Sequence, residues 1–309
     1  MTCSVRRSRS ARGRLLAAPV VAGLAMLTTA LVLAARAQEA RTIYVSAVGG
    51  NGMPVMDLTA AEFQVLEDGA TREVTKIDKA TEPIYYAILV DTSLGSSGTD
   101  QSNTNNLLPH MRNGLAGFVK TVLEAAPDSK IMFVEFGGAA MVRQEFTSTL
   151  TELETMVPKL IPKTSEPVLS EALVEAAKRL AKVPSRRRVI LSVNREPTPE
   201  ASRLDGKLVA EEVRKSGASV FGMSVRYGTR QDANREALLK GLAANTGGLR
   251  LTLQTPVPLP DYLRSVAYNT IVQYAVTFSR PADASAAKIT TVRLTRPGVT
   301  PLTVQWSEK

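Results

Sequence analysis

From residue 84 onward, short apolar runs alternate with amphipathic stretches, and this alternation constrains the fold more than any other feature of the chain. The apolar runs predict strands at residues 84–90, 130–136, 141–146, 188–193, 219–225 and 249–253. The other stretches predict helices at residues 107–125, 150–160, 168–182, 203–215, 234–245 and 260–268. Strands that are apolar on both faces and alternate with helices form a largely parallel sheet covered on both sides. The predicted fold class is therefore α/β.

The periodicity inside two of the helical stretches supports their assignment. Apolar residues recur at intervals of three and four in the first, which contains Leu108, Met111, Leu115, Phe118, Val122 and Ala126. The same spacing occurs in the third, which contains Leu169, Leu173, Ala176, Ala177 and Leu180. Each spacing places the apolar side chains on one helix face, which predicts that the face packs on the sheet.

Both ends of the chain change to the two-residue period of half-buried strands. The N-terminal strands are predicted at residues 42–48, 63–66 and 72–77, and the C-terminal ones at 272–278, 289–294 and 302–306. We expect the two sets to pair as a small accessory β portion. The predicted organisation is an N-terminal β segment at 38–82, a central α/β domain at 83–269 and a C-terminal β segment at 270–309.

The first 37 residues predict a secretory signal peptide. Basic residues precede an apolar run at 15–35, and Ala35-Arg36-Ala37 gives the small-x-small pattern of a cleavage site. An extracytoplasmic protein, periplasmic or secreted and cleaved after Ala37, is therefore expected. The alternative is an uncleaved membrane anchor, because about 20 apolar residues span a bilayer.

The charge balance argues against a nucleic-acid partner. The leader holds six of the 38 basic residues and no acidic one, which leaves 32 basic against 29 acidic residues. A net charge of +3 gives no strong attraction to phosphates. The one cysteine, Cys3, lies in the leader, so the remaining chain has no disulfide or thiol chemistry.

Asp91 follows the first predicted strand of the α/β region, within the sequence YAILVDTSLGSS. Open parallel sheets bind ligands at the carboxyl ends of their strands, so Asp91 and Ser93 are candidate metal ligands. An enzymatic function is less favoured than a binding function. The one histidine, His110, has no orienting motif of a Ser-His-Asp triad around it, and a single histidine without cysteines excludes a zinc cluster.

Three features carry a family resemblance: the D-x-S after the first strand, the six strand and helix units, and the upstream segment VSAVGGNGMPVMDLTAAEFQVLEDG. Together they resemble the von Willebrand factor type A (VWA) domain family. The flanks resemble the acidobacterial VWFA-related secreted proteins. The resemblance implies a Rossmann-like domain with a metal-ion-dependent adhesion site. In the family, D-x-S-x-S, a threonine and an aspartate from three loops hold a divalent cation, and a partner carboxylate completes its coordination. Such oxygen ligands suit Mg²⁺, Mn²⁺ or Ca²⁺.

The sequence departs from that ligand pattern in all three loops. Gly95 stands where the second serine is expected, Pro167 stands in place of the threonine, and Asn194 stands in place of the aspartate. Neighbouring candidates that would restore ligands are Ser96, Ser97, Thr164, Ser165, Glu166 and Glu196. With one sure carboxylate and one sure hydroxyl, the prediction is a degenerate site that binds a cation weakly or not at all.

The predicted function is an exported protein-binding or scaffolding module that acts through the loops around Asp91. The partner is an unknown protein, with membrane contact only if the leader is retained. The alternatives are an envelope assembly or structural factor without a metal site and, less favoured, a hydrolase using Asp91. Residues 95–106 are interpreted as a polar, turn-rich loop, either a flexible lip over the top face, where Asp91 lies, or a tolerated surface insertion. Residues 186–188 are interpreted as a solvated basic strand entrance rather than a phosphate or lipid site.

Overall fold

The computed structural model describes residues 1–2, 38–94, 101–196, 198–226 and 231–303, although not the side chains of 101–106. The predicted leader, apart from its first two residues, and the candidates Ser96 and Ser97 lie outside the described residues. The chain divides into a compact unit of Ala40–Arg280 with Ser285–Lys309, and a small unit of Met1–Glu39 with Pro281–Ala284. Everything below concerns the compact unit. In the part of the chain described, no helix is long and apolar enough to cross a membrane.

A six-stranded sheet forms the centre of the compact unit. Its strands are β5 (Tyr85–Val90), β6 (Lys130–Glu135), β7 (Met141–Thr147), β8 (Arg188–Glu196), β9 (Ser219–Arg226) and β10 (Arg250–Leu253). The spatial order is β10-β9-β8-β5-β6-β7, and all neighbours are parallel except β7, which runs antiparallel to β6 at the edge. The predicted mostly parallel sheet is confirmed.

Helices cover both faces of this sheet. They are α1 (Gln101–Ala125), α2 (Leu150–Met156), α3 (Leu169–Leu180), α4 (Gly206–Ser216), α5 (Ala233–Thr246) and α6 (Leu259–Ile271). Helices α1, α2 and α6 bury their apolar residues in one core with alternate residues of the strands, while α3, α4 and α5 form a second core on the other face. Phe118 of α1 is fully buried, and burial of such a side chain stabilises the fold by about 1.5–3 kcal/mol.

The flanking segments form two further sheets. Their strands are β1 (Gln38–Gly49), β2 (Phe63–Glu67), β3 (Ala70–Arg72), β4 (Val74–Lys79), β11 (Tyr274–Pro281), β12 (Thr290–Leu294) and β13 (Val299–Leu302). The four-stranded sheet has the order β13-β1-β11-β4, and the three-stranded sheet has the order β12-β2-β3. N-terminal and C-terminal strands therefore pair with one another, as the shared two-residue period predicts. The domain boundaries at 82/83 and 269/270 stay a prediction.

Several predicted boundaries are corrected. The strand predicted at 302–306 lies at Val299–Leu302, and two further changes concern α1 and β8. Helix α1 begins at Gln101, so residues 101–106 belong to a helix and not to the predicted polar loop. Their low helix propensity is a weak preference, which the buried next turn of the same helix, with Leu107 and Met111, overrides. Strand β8 continues to Glu196, three residues beyond the predicted end, because residues 194–196 pair with β9 in register.

The solvated strand entrance predicted for residues 186–188 is also wrong for Arg187. Its side chain is buried, and its guanidinium donates hydrogen bonds to the carbonyls of Glu82, Thr270 and Ile271. Arg188 similarly donates to the carbonyls of Val183 and Ser216. Terminal helix carbonyls have no partner within the helix, and these two arginines satisfy several of them at the ends of α6 and α4, while Val183 lies in the turn after α3. The basic cluster that the sequence predicted to lie on the surface is thus partly buried.

Candidate functional site

The carboxyl end of β5 lies at the topological switch point of the central sheet. The chain passes from β5 to β6 on one side, and later returns to β8 on the other side. Open α/β sheets have their ligand crevice at this position. Asp91 is the first residue after β5, and residues 91–94, 160–168, 195–196 and 198–205 form the loops and strand ends that we call the top face.

Both carboxylate oxygens of Asp91 accept hydrogen bonds from the protein. Oδ1 accepts from the backbone N–H of Ser93 (3.0 Å) and from the Ser93 hydroxyl (2.6 Å), and Oδ2 accepts from the backbone N–H of Arg195 (3.1 Å). Asp91 is 4% exposed and Ser93 1% exposed. Asp91 and Ser93, the two primary candidates from the sequence, are therefore joined to each other, and the Ser93 hydroxyl proton points at the carboxylate.

Arg195 brings a positive charge to the same place. Its guanidinium donates a hydrogen bond to the Ser93 carbonyl (2.8 Å), and the residue is buried. Asp91, Ser93 and Arg195 line one small cavity of about 10 Å³, with Pro162 and the α1 residues Leu107, Leu108 and Met111 among the other walls. A cavity of that size holds about one water molecule.

The alternation of β8 separates the candidates near its end. Successive strand residues point to opposite faces, so Arg195 lies on the α1 side with Val193, whereas Asn194 and Glu196 lie on the α3–α5 side. The Asn194 amide accepts from the Ser192 hydroxyl (2.7 Å) and donates to the Met223 carbonyl (3.0 Å). Its hydrogen bonds therefore lead away from Asp91.

Glu196 pairs with Arg235 of α5. Arg235 Nη1 lies 3.2 Å from Glu196 Oε1, an ion pair that lacks hydrogen-bond geometry, and both side chains are completely buried. The same guanidinium donates to Glu200 Oε2 (3.0 Å) and to the carbonyls of Arg195 (2.9 Å) and Thr198 (2.8 Å). The end of β8 and the segment after it are thus held to α5 by one cation, through three hydrogen bonds and one ion pair.

The charges of this network shift its pKa values in different directions. Burial raises the pKa of Glu196, and the nearby Arg235 only partly offsets the effect. Burial acts to lower the pKa of Arg235, but the charges of Asp91, Glu196 and Glu200 outweigh it, so that the pKa is raised. Arg235 therefore stays charged, and the charge of Asp91 is one of the causes.

Asp232 fixes the start of α5, on which Arg235 lies. Its carboxylate accepts from the backbone N–H groups of Arg235 (2.9 Å) and Glu200 (3.1 Å). Burial acts to raise the pKa of Asp232, but these hydrogen bonds and the charge of Arg235 lower it overall. A carboxylate at this cap position stabilises a helix by about 1 kcal/mol, so the cap also positions the ion pair.

A second buried acid supports the loop from the other side. Glu135, at the end of β6, accepts from the Thr92 hydroxyl (2.7 Å) and forms ion pairs with Lys163 (2.5 Å) and Arg143 (3.4 Å). Lys163 also donates its backbone N–H to the Thr92 carbonyl (2.7 Å), and its carbonyl accepts from Leu94 N–H (2.8 Å). Residues 92–94 and 163 are therefore clamped together by backbone and by charge.

The remaining second-loop candidates lie beside this clamp. Thr164 is exposed, and the Ser165 hydroxyl donates to the Lys163 carbonyl at a long 3.4 Å. The carbonyl of Glu166 accepts from Gly138 N–H (2.8 Å), and Pro167 bridges Gly137. Among the described residues, the hydrogen-bond partners of Asp91 are Ser93 and Arg195, and none of these four residues is one of them. His110 lies in α1, half-buried, and makes no described hydrogen bond with Asp91 or Ser93.

Gly137 permits the close approach of the β6 end to residues 92 and 93. A Cβ atom at this position would lie 2.7 Å from Thr92 Oγ1, 2.9 Å from the Thr92 carbonyl carbon and 3.0 Å from the Ser93 nitrogen. Two of these atoms belong to the backbone, which cannot move aside as the tip of a side chain can. The glycine is therefore needed for the Asp91 loop to take its observed path.

Gly137→Ala should lower the free energy of unfolding by about 1–3 kcal/mol, the usual cost of overpacking. The matched control is Gly117→Ala in the interior of α1, where a Cβ atom would meet nothing within 4 Å. That change should raise stability by about 0.5–1 kcal/mol, since alanine loses less backbone entropy than glycine in a helix. Urea denaturation of both variants gives the comparison, and equal behaviour of the two would contradict the close approach.

Sequence reasoning did not identify Arg195, Arg235, Glu135 or Lys163 as parts of this region. A signal was present for two of them. Arg195 directly follows Asn194 at the end of an apolar strand, and Glu135 lies inside the run 130–136, where a charged residue is unusual unless it is paired. Arg235 and Lys163 show no local pattern, because their partners are 35 and 28 residues away in the chain.

Comparisons with known proteins give solved structures as neighbours. No protein-family model matches the sequence, and no curated protein is significantly similar to it. A von Willebrand factor type A structure from Catenulispora acidiphila matches with a TM-score of 0.51 and 11% identity, over 85% of this chain and 72% of that one. At this identity the likeness concerns the fold alone.

Two further structures match with lower TM-scores. The von Willebrand factor domain of the type V pili tip protein Mfa5 from Porphyromonas gingivalis has a TM-score of 0.47 and 13% identity, over 61% of this chain and 95% of that one. Proximal thread matrix protein 1 from the mussel byssus, with a zinc-occupied MIDAS motif, has a TM-score of 0.48 and 16% identity, over 66% of this chain and 49% of that one. This chain thus spans about half the length of the mussel protein.

Proposed function

We propose that this chain, whose central domain has the von Willebrand factor type A fold, is an exported binding or scaffolding module that engages a protein partner through its top face without a divalent cation. One observation carries the proposal. The buried Asp91 accepts hydrogen bonds on both oxygens and shares its small cavity with Arg195. An internal guanidinium thus supplies the positive charge that a cation would bring.

The residues around Asp91 do not fit a tight divalent site. Divalent cations of this class take six or more oxygen ligands, and their affinity rises with the number of charged ones. Among the described residues that line the cavity, Asp91 is the one carboxylate, while Asn194 turns to Met223 and Glu196 pairs with Arg235. Among the described residues, no group of three His, Cys, Asp or Glu side chains could hold a metal ion. The acids closest to the site are already neutralised by arginine and lysine.

The top face has features of a recognition surface. Ile161 is 61% exposed and stands next to Pro162, on a loop that Lys163 ties by backbone hydrogen bonds to residues 92 and 94. A loop held in this way loses little conformational entropy when a partner binds. We assign no catalysis to Asp91, because both of its carboxylate oxygens are already engaged by hydrogen bonds from Ser93 and Arg195.

Export is supported by the leader pattern of residues 1–37. A chain whose one cysteine lies in that leader has no disulfide after cleavage, so packed apolar cores must hold its fold. The two cores of the central sheet supply them, together with a third apolar cluster of the accessory strands. The partner is therefore expected to be a protein outside the cytoplasm.

The proposal that the top face binds no divalent cation is tested by calorimetric titration of residues 38–309 with Mg²⁺, Mn²⁺ and Ca²⁺. We expect no saturable heat below about 1 mM, the weak end of the range for oxygen sites. Micromolar binding that is abolished by Asp91→Asn would overturn this part of the proposal.

The location of the binding surface is tested by partner capture from envelope extract, with and without EDTA. Ile161→Asp should lose most of the captured protein, while the matched control Ile289→Asp, at a residue 50% exposed beside the accessory strand β12, should retain it. EDTA should not change the yield. Equal recovery with both variants would place the binding surface elsewhere and favour a purely structural role.

A further inference from the structure

Strand β4 leaves one edge of the four-stranded accessory sheet open. The sheet has the order β13-β1-β11-β4, and in the part of the chain described no strand pairs with β4 on the side away from β11. Four of its six residues are exposed, among them Lys76 and Asp78, whose side chains are 68% and 48% exposed. An open edge presents backbone N–H and C=O groups that pair readily with another strand.

The register with β11 shows which backbone groups of β4 face outward. The Ala80 N–H, just after β4, donates to the Gln273 carbonyl (2.8 Å), so these two residues form a hydrogen-bonded pair. Such pairs alternate with non-hydrogen-bonded pairs along an antiparallel ladder. Asp78 therefore bonds to β11 through its backbone, whereas the N–H and C=O groups of Ile77 and Lys79 point away from β11.

The charges of β4 are self-complementary. When two copies of β4 pair antiparallel with Ile77 opposite Ile77, Lys76 of each copy lies opposite Asp78 of the other, and Lys79 lies opposite the uncharged Thr75. Opposite charges across two strands stabilise a sheet, and like charges directly opposite destabilise it. Moving the centre by one residue in either direction places Lys76 opposite Lys76, or Asp78 opposite Asp78. The charges therefore favour the register that is centred on Ile77.

The apolar side of the strand favours the same register. Ile77 is half-buried and lines a cavity of about 220 Å³, together with residues such as Leu58 and Tyr274. A cavity of that size accommodates an aliphatic side chain. Residues directly opposite in an antiparallel pair lie on the same side of the sheet, so a second Ile77 meets the first beside this cavity. Backbone groups, charges and an apolar side chain thus agree on one centre of pairing.

We propose that this chain forms a symmetric dimer by pairing β4 with β4 of a second copy about Ile77, which extends the accessory sheet from four strands to eight. The two Ile77 residues exchange N–H and C=O hydrogen bonds, and Lys76 of each copy forms an ion pair with Asp78 of the other. Because β4 is short, the interface is smaller than that of permanent complexes, and the dimer is a reversible one. Strand β4 is not part of the top face, so the dimer and the proposed top-face binding are tested separately.

The dimer is tested by sedimentation equilibrium of residues 38–309 between about 10 µM and 1 mM, in about 50 mM salt, since higher salt screens exposed charges. We expect a monomer–dimer equilibrium with a Kd below about 500 µM. The amide protons of Ile77 and Lys79 should exchange with solvent more slowly at the high concentration than at the low one, because the dimer hydrogen-bonds them. A protein that stays monomeric at about 1 mM would refute the proposal, and the lysines of β4 would then serve to keep the edge unpaired.

Two charge-reversal variants test the register. Lys76→Asp places aspartates opposite each other at both ion-pair positions, Asp78→Lys does the same with lysines, and each should weaken its own dimer at least about tenfold. An equimolar mixture of the two variants should form a heterodimer within about threefold of the wild-type affinity, because each aspartate of one chain then faces a lysine of the other. Both positions are exposed, so both variants should keep the wild-type melting temperature.

The matched control is Lys120→Asp, which makes the same change of charge at an exposed residue of α1 whose side chain is 62% exposed. It should change the dimer affinity less than twofold. Equal weakening by Lys76→Asp and Lys120→Asp would show that net charge, and not β4, governs association. A mixture of Lys76→Asp and Asp78→Lys that stays monomeric would likewise rule out the pairing about Ile77.

Discussion

Arg235→Met should lower the free energy of unfolding by about 3–5 kcal/mol, as expected when one partner of a buried ion network is removed. The guanidinium is fully buried and contacts Glu196, Glu200 and the carbonyls of Arg195 and Thr198. Methionine fills a similar volume but leaves two carboxylates and two carbonyls without their donor. Urea denaturation at pH 7 measures the loss. The control is Arg214→Met, whose ion pair with Glu211 is partly exposed and should contribute less than about 1 kcal/mol.

The loss should become smaller as the pH falls from 7 to 5. The pKa of Glu196 is already raised in the folded protein, so the folded state binds that proton more tightly than the unfolded chain does. Stability from such a group is present at low pH and is lost as pH rises through the folded pKa. Without Arg235 the pKa rises further, and protonated Glu196 no longer needs a counter-charge. Above pH 5 the acids with lowered pKa values, such as Asp232 and Glu62 at about 2, stay ionised and do not disturb the comparison. A loss that is constant over this range would contradict a charged Glu196–Arg235 pair.

The secondary structure of the central domain was predictable because each element carries its own period. The runs at residues 84–90 and 130–136 are apolar on both faces, and that pattern is produced by burial between two helix layers. The pairing of the two terminal β segments followed from their shared alternation. The start of α1 did not follow, because residues 101–106 have the composition of a loop and their helical state continues from the buried turn beyond them.

The site was only half predictable, for a reason that lies in β8. Asp91 and Ser93 are local neighbours, so their hydrogen bond could be anticipated from D-x-S. With the strand predicted to end at residue 193, Asn194 and Arg195 had no defined face, whereas the observed pairing through Glu196 places them on opposite sides of the sheet. Arg235 lies in α5 and contacts the end of β8 from there. The spacing of these residues in the sequence contains no information about that contact. The sequence predicts a degenerate cation site here, and the arginine that lines the Asp91 cavity was not anticipated from it.

Arg195→Met should reduce the free energy of unfolding by about 3 kcal/mol, because it leaves the buried Asp91 carboxylate with less compensating charge. Adding Asp91→Asn should restore part of that loss, since the amide keeps oxygen acceptor capacity without the charge. The double-mutant cycle is expected to give a coupling energy between about 0.5 and 3 kcal/mol. Lys215→Met combined with Asp91→Asn is the matched control, because Lys215 pairs with Glu212 on the exposed side of α4, and its effects should add.

The same variant tests whether the guanidinium stands in for a cation. In Arg195→Met the cavity beside Asp91 loses its positive charge, so Mg²⁺ or Mn²⁺ at about 10 mM should raise the melting temperature of this variant more than that of the wild type, as any ligand of the folded state does. Arg195→Met/Asp91→Asn should lose the extra response, which assigns it to the carboxylate. Strict additivity in the cycle, together with an equal metal response of all four proteins, would show that Arg195 serves packing alone. The top face would then require another explanation for its buried aspartate.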